Sequence, residues 1–375
     1  MIIGIDIRAL GQKKVTGIGN YIVNSLKYIF ELDKVNNYYL LSSGLRSKID
    51  PDIKFKQENV SYIHVSIPNK ILNLSLKVGF CRSLNKFFPE KIDLLWLPNI
   101  NFYKFDQTVP TILTIHDLSF LHSREFYSLK RRIWHRFINV DQLASEVDKI
   151  IAVSENTRRD IIRFLNIPKE KISMIYPGVE VNKMDREKAA QLIAPFNLKR
   201  KYFIFVGTLE PRKNISGLIK AFDRYRAKYE DTDLVIVGSK GWIYRSLINK
   251  INKRQYIHYL GYINGPTKDA LYYLSQGLIW PSFYEGFGFP PLEAAYHGVP
   301  VIVSYKTSLP EVMKQQALYI DPYNSSDIYQ ALKQLTVDRA LREQFKVSGK
   351  HFSVPNWTRE AKKIIRLFES FNKNK

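Results

Sequence analysis

Two glutamates, Glu285 and Glu293, stand at the ends of the run E-G-F-G-F-P-P-L-E, in which seven residues separate them. The apolar residues Leu278–Trp280 before the run are typical of a buried strand. The glycines within it let the backbone approach a ligand closely, and the paired prolines suit a first helical turn, where no amide donor is needed. We therefore predict a strand, a loop that carries Glu285, and a helix that begins near residue 290 with Glu293 in its first turn.

The predicted helix begins at the carboxyl end of a parallel strand, where open α/β sheets bind their ligands. Its free amides and the positive end of its dipole would attract an anion. Gly298 suits the position directly after the helix. A lone Glu293 could simply stabilise the dipole of its own helix, but the surrounding loop favours a binding site in which both carboxylates face one cleft.

A pair of cations occupies a second helix start, in the run V-G-T-L-E-P-R-K-N that ends at Asn214. Asn214 is a good helix cap, and the apolar residues after it recur with helical spacing. Arg212 and Lys213 therefore lie at a helix amino terminus, where the dipole repels them unless an anion is present. A diphosphate would meet two cations and free backbone donors at this point.

Two further features lie in the first third of the chain. His116 and Asp117 end the apolar strand Thr111–Ile115. A histidine at a strand end is often only structural, but strand carboxyl ends are where α/β proteins bind ligands. Gly17 and Gly19 join the first strand to a helix; Ile22 stands where a dinucleotide fingerprint has its third glycine, which argues against NAD.

Metal chemistry is not expected. The pattern Asp-x-Asp occurs at Asp50–Asp52 and at Asp231–Asp233, but neither copy follows a buried strand, and we predict turns at both. The single cysteine, Cys81, excludes a disulfide framework and a multi-cysteine zinc site. The charge of a bound diphosphate would then be balanced by Arg212, Lys213 and helix amides.

The run E-G-F-G-F-P-P-L-E resembles the donor-binding motif of the retaining family-4 glycosyltransferases, which have the GT-B fold, and the resemblance extends over nearly the whole chain. It implies that Glu293 binds the ribose hydroxyls of a nucleotide and that Arg212 and Lys213 bind the donor diphosphate. It also implies that the donor sugar is held by Glu285, by His116 and by the amides of Gly286, Phe287 and Gly288. Gly17 and Gly19 would border the diphosphate and the acceptor. Asp117 is expected to orient its loop.

The fold class that follows is α/β, with two Rossmann-like domains whose parallel sheets face each other across a cleft. Short apolar runs alternate with helical patterns in both halves of the chain, as parallel sheets covered on both faces require. We place an amino-terminal acceptor-side domain at 1–177, a linker at 178–201, a nucleotide-sugar-binding domain at 202–356, and a carboxyl-terminal helix at 357–375 that packs on the first domain.

The net charge of +22 is spread over the chain: residues 1–190 hold 29 basic and 20 acidic side chains, and the remainder hold 28 and 15. No nucleic-acid-binding module appears, and no apolar run is long enough to cross a bilayer. We expect a cytoplasmic enzyme with no nucleic-acid partner. Two basic stretches with interleaved apolar residues, Lys70–Phe88 and Arg124–Phe137, are either solvated helix faces or a surface for the anionic inner leaflet.

The predicted reaction is retaining, metal-independent transfer of a hexose from a nucleotide sugar, without a cofactor, to a glycan or a polyprenyl-linked glycan in surface polysaccharide synthesis. The motifs look most like those of bacterial mannosyltransferases of polysaccharide and lipopolysaccharide assembly, which favours GDP-mannose as the donor. A UDP-hexose-dependent transferase and a nucleotide-sugar epimerase of the same fold remain alternatives.

Overall fold

The computed structural model describes residues 1–11, 17–45, 54–81, 83–350 and 352–372. Contacts divide the chain into two compact units. Unit 1 comprises Met1–Leu118, Ile133–Gly178 and Pro355–Lys375, and unit 2 comprises Ser119–Arg132 and Val179–Val354. Within the described residues, no helix is both long enough and apolar enough to span a membrane.

Unit 1 is built on a seven-stranded sheet in the order β3-β2-β1-β4-β5-β6-β7, and every neighbouring pair is parallel. Ile3 of β1 lies beside Tyr38 of β2 and beside Leu94 of β4. The strands are β1 (Ile2–Asp6), β2 (Asn37–Ser43), β3 (Val60–Val65), β4 (Leu94–Leu97), β5 (Thr111–Ile115), β6 (Lys149–Ala152) and β7 (Ile172–Met174). Their residues are mostly buried because helices cover the sheet.

The helices from the first half of the chain are α1 (Gly17–Leu32), α2 (Asn69–Lys77), α3 (Ser119–His122), α4 (Leu129–Ile138), α5 (Val140–Glu146) and α6 (Glu155–Leu165). The last helix, α15 (Trp357–Ser370), packs against α1 in unit 1. Trp357 stacks on Tyr28, and Phe368 contacts Trp96 inside the core. A side chain at position 178 would collide with the Trp357 ring, which explains the glycine there.

Unit 2 has a six-stranded parallel sheet in the order β10-β9-β8-β11-β12-β13. The strands are β8 (Lys201–Val206), β9 (Thr232–Val237), β10 (Ile257–Gly261), β11 (Gly277–Trp280), β12 (Val301–Ser304) and β13 (Leu318–Ile320). The helices are α7 (Arg186–Ile193), α8 (Ile215–Arg226), α9 (Arg245–Asn252), α10 (Gly265–Tyr273), α11 (Phe289–Tyr296), α12 (Leu309–Met313), α13 (Ser325–Val337) and α14 (Arg339–Lys350).

Both sheets have the Rossmann order, in which the direction of strand addition reverses beside the first strand of the unit. The reversal lies between β1 and β4 in unit 1 and between β8 and β11 in unit 2. Crevices at the carboxyl ends of such strand pairs are the usual ligand sites of doubly wound sheets. The predicted α/β class with two parallel-sheet domains is confirmed.

Three differences from the sequence predictions concern domain bounds and strands. Residues 119–132 were placed in the amino-terminal domain but belong to unit 2, where Phe126 stacks on Phe283 and Tyr127 stacks on Trp242. The predicted linker 178–201 contains α7, which packs against α10.

The third difference concerns the second Asp-x-Asp pattern. Asp233 lies inside β9 and is buried, so the predicted turn is wrong there. Its carboxylate lies 2.8 Å from His258 Nε2 and 3.5 Å from the Arg200 guanidinium. These partners, which are far from Asp233 in the sequence, offset the cost of burying an acid in a strand. Asp50–Asp52 lies outside the described residues.

Candidate functional site

The loop 281–288 follows β11 at the reversal point of unit 2, and its backbone is held from the β12–α12 side. The Glu285 amide donates to Thr307 Oγ1 at 3.0 Å. The Ser308 hydroxyl donates to the carbonyls of Glu285 and Phe287 at 3.0 and 2.9 Å. Gly288 has φ +105°, and a Cβ there would lie 2.8 Å from Leu309, so only glycine fits before α11.

The turn after β8 faces this loop. Pro211–Lys213 forms a single 3-10 turn, and Asn214 then caps α8 by accepting the Gly217 amide at 3.2 Å, which confirms the predicted cap. The Phe283 amide donates to the Arg212 carbonyl at 2.9 Å and joins the turn to the loop. The segment with the residues predicted to bind the diphosphate is therefore in direct contact with the segment predicted to bind the sugar.

A buried cluster of charges connects the same two segments. Lys213 Nζ lies 2.6 Å from Glu285 Oε1, and these residues are only 7% and 5% exposed. Arg212 bonds to Glu210 at 2.9 Å, and its Nη1 lies 4.0 Å from Glu285 Oε2. The Lys213 ammonium also sits 4.6 Å above the ring of Trp280, a favourable cation–π position. Burial raises the pKa of Glu285, but Lys213 and Arg212 more than offset this and hold it below its usual value.

Glu293 lies on α11, which begins at Phe289. The residue is therefore in the second helical turn, whereas the sequence prediction placed it in the first. This position weakens the interpretation of Glu293 as a dipole-stabilising residue, since that effect falls off within the first turn. Its carboxylate is bonded to Lys268 Nζ at 2.7 Å and accepts from the Tyr272 hydroxyl at 3.0 Å. Both partners are on α10, one helical turn apart.

These contacts determine the protonation of the α10 side chains. Burial lowers the pKa of Lys268, but the carboxylates of Glu293 and Asp269 more than offset this, so the net shift is upward. Burial and then Glu293 raise the pKa of Tyr272 well above its usual value, so its hydroxyl stays a donor. Glu293 thus lies between two donors, and its carboxylate oxygens have lone pairs left to accept hydrogen bonds from hydroxyl groups.

Asp269, next in sequence to Lys268, connects α10 to the segment before α7 and lies beside the end of α11. Its Oδ2 accepts from the Asn182 backbone amide at 3.1 Å and from the Asn182 side chain at 2.7 Å. The ring of His297, at the end of α11, lies 3.6 Å from its other oxygen. Burial raises the pKa of Asp269, while the nearby His297 ring and the hydrogen bonds from Asn182 lower it overall. The helices that carry Lys268 and Glu293 are therefore braced against each other.

The remaining predicted site residues, Gly17, Gly19 and His116, lie in unit 1. The two glycines were predicted in a loop, but they lie in the first turn of α1. A Cβ added to Gly17 would have no neighbour within 4 Å. His116 follows β5, and its ring contacts the Tyr21 ring of α1 at 4.7 Å. Burial lowers the pKa of His116. Its Nε2 lies 2.9 Å from the Pro98 carbonyl, so Nε2 carries the proton and Nδ1 is the acceptor.

Sequence reasoning missed two sets of polar residues, one on α10 and one at the end of β1. Lys268 and Tyr272 are four residues apart on α10, and the helix-cap pattern at Asn264 with this spacing was the available signal. Asp6 ends β1 and Arg8 follows it, and the two form a buried bidentate pair with contacts of 2.9 and 3.0 Å. The pattern Asp-x-Arg at the end of the first strand could have revealed it. Among the residues that the structure describes, no three metal-ligating side chains are grouped together.

Comparison with known proteins identifies the family. A model described as Glycosyltransferase Family 4 matches residues 40–183, and one described as Glycosyl transferases group 1 matches residues 187–352. The O-antigen chain mannosyltransferase B of Escherichia coli is 31% identical over 281 residues, which cover 71% of this chain and 73% of the relative. The chain belongs to the family-4 glycosyltransferases.

Two other proteins extend the comparison. The glycosyltransferase is 26% identical over 350 residues to the O-antigen chain mannosyltransferase RfbU of Salmonella typhimurium, with 88% of this chain and 90% of the relative covered. Sucrose-phosphate synthase from Thermosynechococcus elongatus has the same fold, with a TM-score of 0.75, 16% identity and full coverage of both chains. The GT-B fold predicted for the glycosyltransferase is confirmed.

We expect the Lys213–Glu285 pair to be energetically coupled. A cycle of Lys213→Ala, Glu285→Ala and the double variant should give a coupling energy of about 2–3 kcal/mol, because each single change leaves a buried charge without its nearest partner. Urea unfolding at pH 7 measures it. The Lys346–Glu343 pair on α14, at 2.8 Å and more than half exposed, is the matched control and should show no measurable coupling. Equal coupling in both cycles would contradict the role of burial.

The lowered pKa of Glu285 also gives this coupling a pH dependence. A carboxyl whose pKa is lower in the folded chain than in the unfolded chain stabilises the fold above its unfolded pKa, and that contribution disappears as pH falls through the folded value. The coupling should be complete at pH 7 and should begin to decline as pH falls below 4.5, the ordinary value for a glutamate.

Proposed function

We propose that this glycosyltransferase moves a hexose, with mannose from GDP-mannose as the first choice, onto a glycan or lipid-linked glycan acceptor in surface polysaccharide synthesis. The transfer retains the anomeric configuration and needs no metal ion. The observation that carries the proposal is the cluster of Arg212, Lys213 and Glu285 at the reversal point of the unit 2 sheet. The printed names of the relatives, which are O-antigen mannosyltransferases, support the choice of sugar.

In the proposed donor complex, the diphosphate lies against Arg212 and Lys213. The Lys213 ammonium has three donors and one is directed at Glu285, so the others can bind phosphate oxygens without breaking the ion pair. Glu285, held at both its backbone and its carboxylate, then accepts hydrogen bonds from the sugar hydroxyls. The backbone amides of Gly286, Phe287 and Gly288 are proposed to donate hydrogen bonds to the same sugar. Phe287 takes part only through its backbone, because its side chain is buried.

The second carboxylate, Glu293, is proposed to bind the ribose. A diol that donates to Glu293 would share it with Lys268 and Tyr272, whose positions are fixed by α10. As the bond from the sugar to the diphosphate breaks, negative charge grows on the phosphate, and Arg212 and Lys213 stabilise it. The departing phosphate takes the acceptor proton. The contact of His116 with the donor sugar remains a prediction from the family resemblance.

A transfer assay tests the proposal. The enzyme is incubated with GDP-mannose, with UDP-glucose or with UDP-N-acetylglucosamine, each with and without a mannose-terminated oligosaccharide. We expect an acceptor enlarged by one hexose from GDP-mannose, with an α-linkage by NMR. Transfer to the acceptor from a UDP sugar, with none from GDP-mannose, would overturn the choice of donor. A nucleotide sugar isomer formed without acceptor would identify an epimerase.

Glu293→Ala is expected to weaken GDP-mannose binding by about 1.5–3 kcal/mol, which is roughly 10- to 150-fold in Kd, because a hydrogen bond to a charged group is lost. Calorimetry measures the affinity. Glu343→Ala, which removes an exposed glutamate on α14, should leave it unchanged. An unchanged affinity in Glu293→Ala would show that the ribose binds elsewhere.

Arg212→Ala is expected to lower kcat by a larger factor than it raises KM, since the charge that Arg212 balances develops in the transition state. Steady-state kinetics separates the two parameters. Activity should be retained in EDTA, because side chains and helix amides, not a metal ion, neutralise the diphosphate. Loss of activity in EDTA with recovery on adding manganese would contradict the metal-free mechanism.

A further inference from the structure

Thr307, in the connection between β12 and α12, has a backbone conformation that a threonine rarely adopts. Its φ is +59°, in the left-handed region where glycine and asparagine are common and β-branched residues are outliers. Among the residues that the structure describes, seven other than glycine have a positive φ; four are asparagines, and only Thr307 and Ile243 are β-branched. Such strain persists where the surrounding structure holds the residue in place, and it is frequent at functional sites.

The hydroxyl of Thr307 uses both of its hydrogen-bonding functions. It donates to the carbonyl of the preceding residue, Lys306, at 2.8 Å. The same oxygen accepts the backbone amide of Glu285 at 3.0 Å, across 22 positions of sequence. The proton of the hydroxyl is therefore engaged within its own segment, and the oxygen is left to hold the loop that follows β11.

The next two residues contact the same loop. The Ser308 hydroxyl donates to two loop carbonyls, and Leu309, the first residue of α12, lies where it would meet a Cβ at Gly288. In an extended chain, successive side chains point to opposite faces. Two neighbouring hydroxyls can therefore reach one loop only where the backbone departs from the strand conformation, and the left-handed φ of Thr307 is such a departure.

The loop depends on contacts of this kind because its own sequence permits many conformations. Two of the three residues after Glu285 are glycines, which restrict the backbone less than any other residue. The ion pair with Lys213, at 2.6 Å, holds the Glu285 carboxylate but leaves the backbone of the residue undetermined. The hydrogen bond from the Glu285 amide to Thr307 supplies a constraint at that backbone.

We propose that Thr307 is a positioning residue for Glu285, whose amide it holds by presenting its hydroxyl from a strained backbone. The Glu285 carboxylate is then fixed at its own backbone as well as at Lys213, in the position from which it accepts the hydroxyl groups of the donor sugar. The contact of Glu285 with the sugar rests on the proposed function. The strain at Thr307 is thus the cost of placing a hydroxyl where glycine, the residue best suited to this φ, has none.

Hydrogen–deuterium exchange, followed by mass spectrometry of a peptide that covers residues 281–288, tests the contact without any nucleotide sugar. Thr307→Val keeps the shape of the side chain but lacks the hydroxyl. The Glu285 amide should therefore exchange about 2- to 10-fold faster, which is the effect of losing one hydrogen bond. Thr307→Ser keeps the hydroxyl and should exchange as the unmodified protein does. It should also unfold at a higher urea concentration, because it lacks the β-branch that causes the strain.

Steady-state kinetics tests the consequence for the reaction, with whichever nucleotide sugar the unmodified enzyme transfers. Thr307→Val is expected to lower kcat/KM by roughly 10- to 100-fold, since a small displacement of a group that holds the reacting sugar slows transfer strongly. The Kd of the nucleotide alone, which lacks the sugar, should not change. Thr307→Ser should retain the activity of the unmodified enzyme.

The matched control is Thr336→Val. Thr336 is partly buried, as Thr307 is, and its hydroxyl also has two partners, the Tyr225 hydroxyl at 2.8 Å and the Leu332 carbonyl at 2.9 Å. It lies on α13, away from the loop. The control should change neither the exchange of residues 281–288 nor kcat/KM. An equal loss of activity in the two valine variants, or a loss in Thr307→Ser as large as in Thr307→Val, overturns the positioning role.

The two measurements separate this inference from the proposed reaction. Unchanged exchange in Thr307→Val overturns the inference whatever the enzyme transfers, because that measurement needs no reaction. Faster exchange with unchanged kcat/KM also overturns it, since the contact would then serve only the stability of the loop. Faster exchange in an enzyme that transfers no hexose would confirm the contact and overturn the proposed function instead.

Discussion

The buried ion pair between Lys213 and Glu285 is the constraint on which the rest of the unit 2 site depends. It joins the turn after β8 to the loop after β11, the two strands between which the sheet order reverses. A buried charge is tolerated only with a partner, so neither segment can move away alone without a large loss of stability. The backbone bonds from Thr307 and Ser308 reinforce the same arrangement from the β12 side.

The second carboxylate repeats this design on the neighbouring helices. Glu293 is shared between Lys268 and Tyr272, and Asp269 is bonded to Asn182. In the Lys213–Glu285 pair and in the Lys268–Glu293 pair, the glutamate keeps the lysine in place and still has oxygen lone pairs that can accept hydrogen bonds from hydroxyl groups. Cations and carboxylates nearly cancel in this part of unit 2, so a diphosphate would be attracted by the directed donors of Lys213, Arg212 and the helix amides more than by excess local charge.

Local sequence patterns predicted most of the strands and the motif positions, because near-continuous apolar runs and helix caps are local signals. Glu285, Arg212 and Lys213 could be placed together since each followed a recognisable strand. Lys268 and Tyr272 were missed, because the Asn264 cap and their i, i+4 spacing place them on one helix face but do not reveal the partner carboxylate. The assignments of Asp233 and of residues 119–132 failed for the same reason: both are determined by long-range contacts, with His258 in one case and with aromatic rings of unit 2 in the other.

The central claim is that Lys213, Glu285 and Glu293 form a nucleotide-sugar site, and thermal unfolding with added ligand tests it most directly. A ligand at a hundred times its Kd stabilises the folded protein by about 2.7 kcal/mol. GDP-mannose and GDP should raise the Tm of the unmodified enzyme, mannose alone should not, and Lys213→Ala should remove most of the shift. A Tm that no nucleotide changes, or a shift of the same size in Lys213→Ala, would contradict the account.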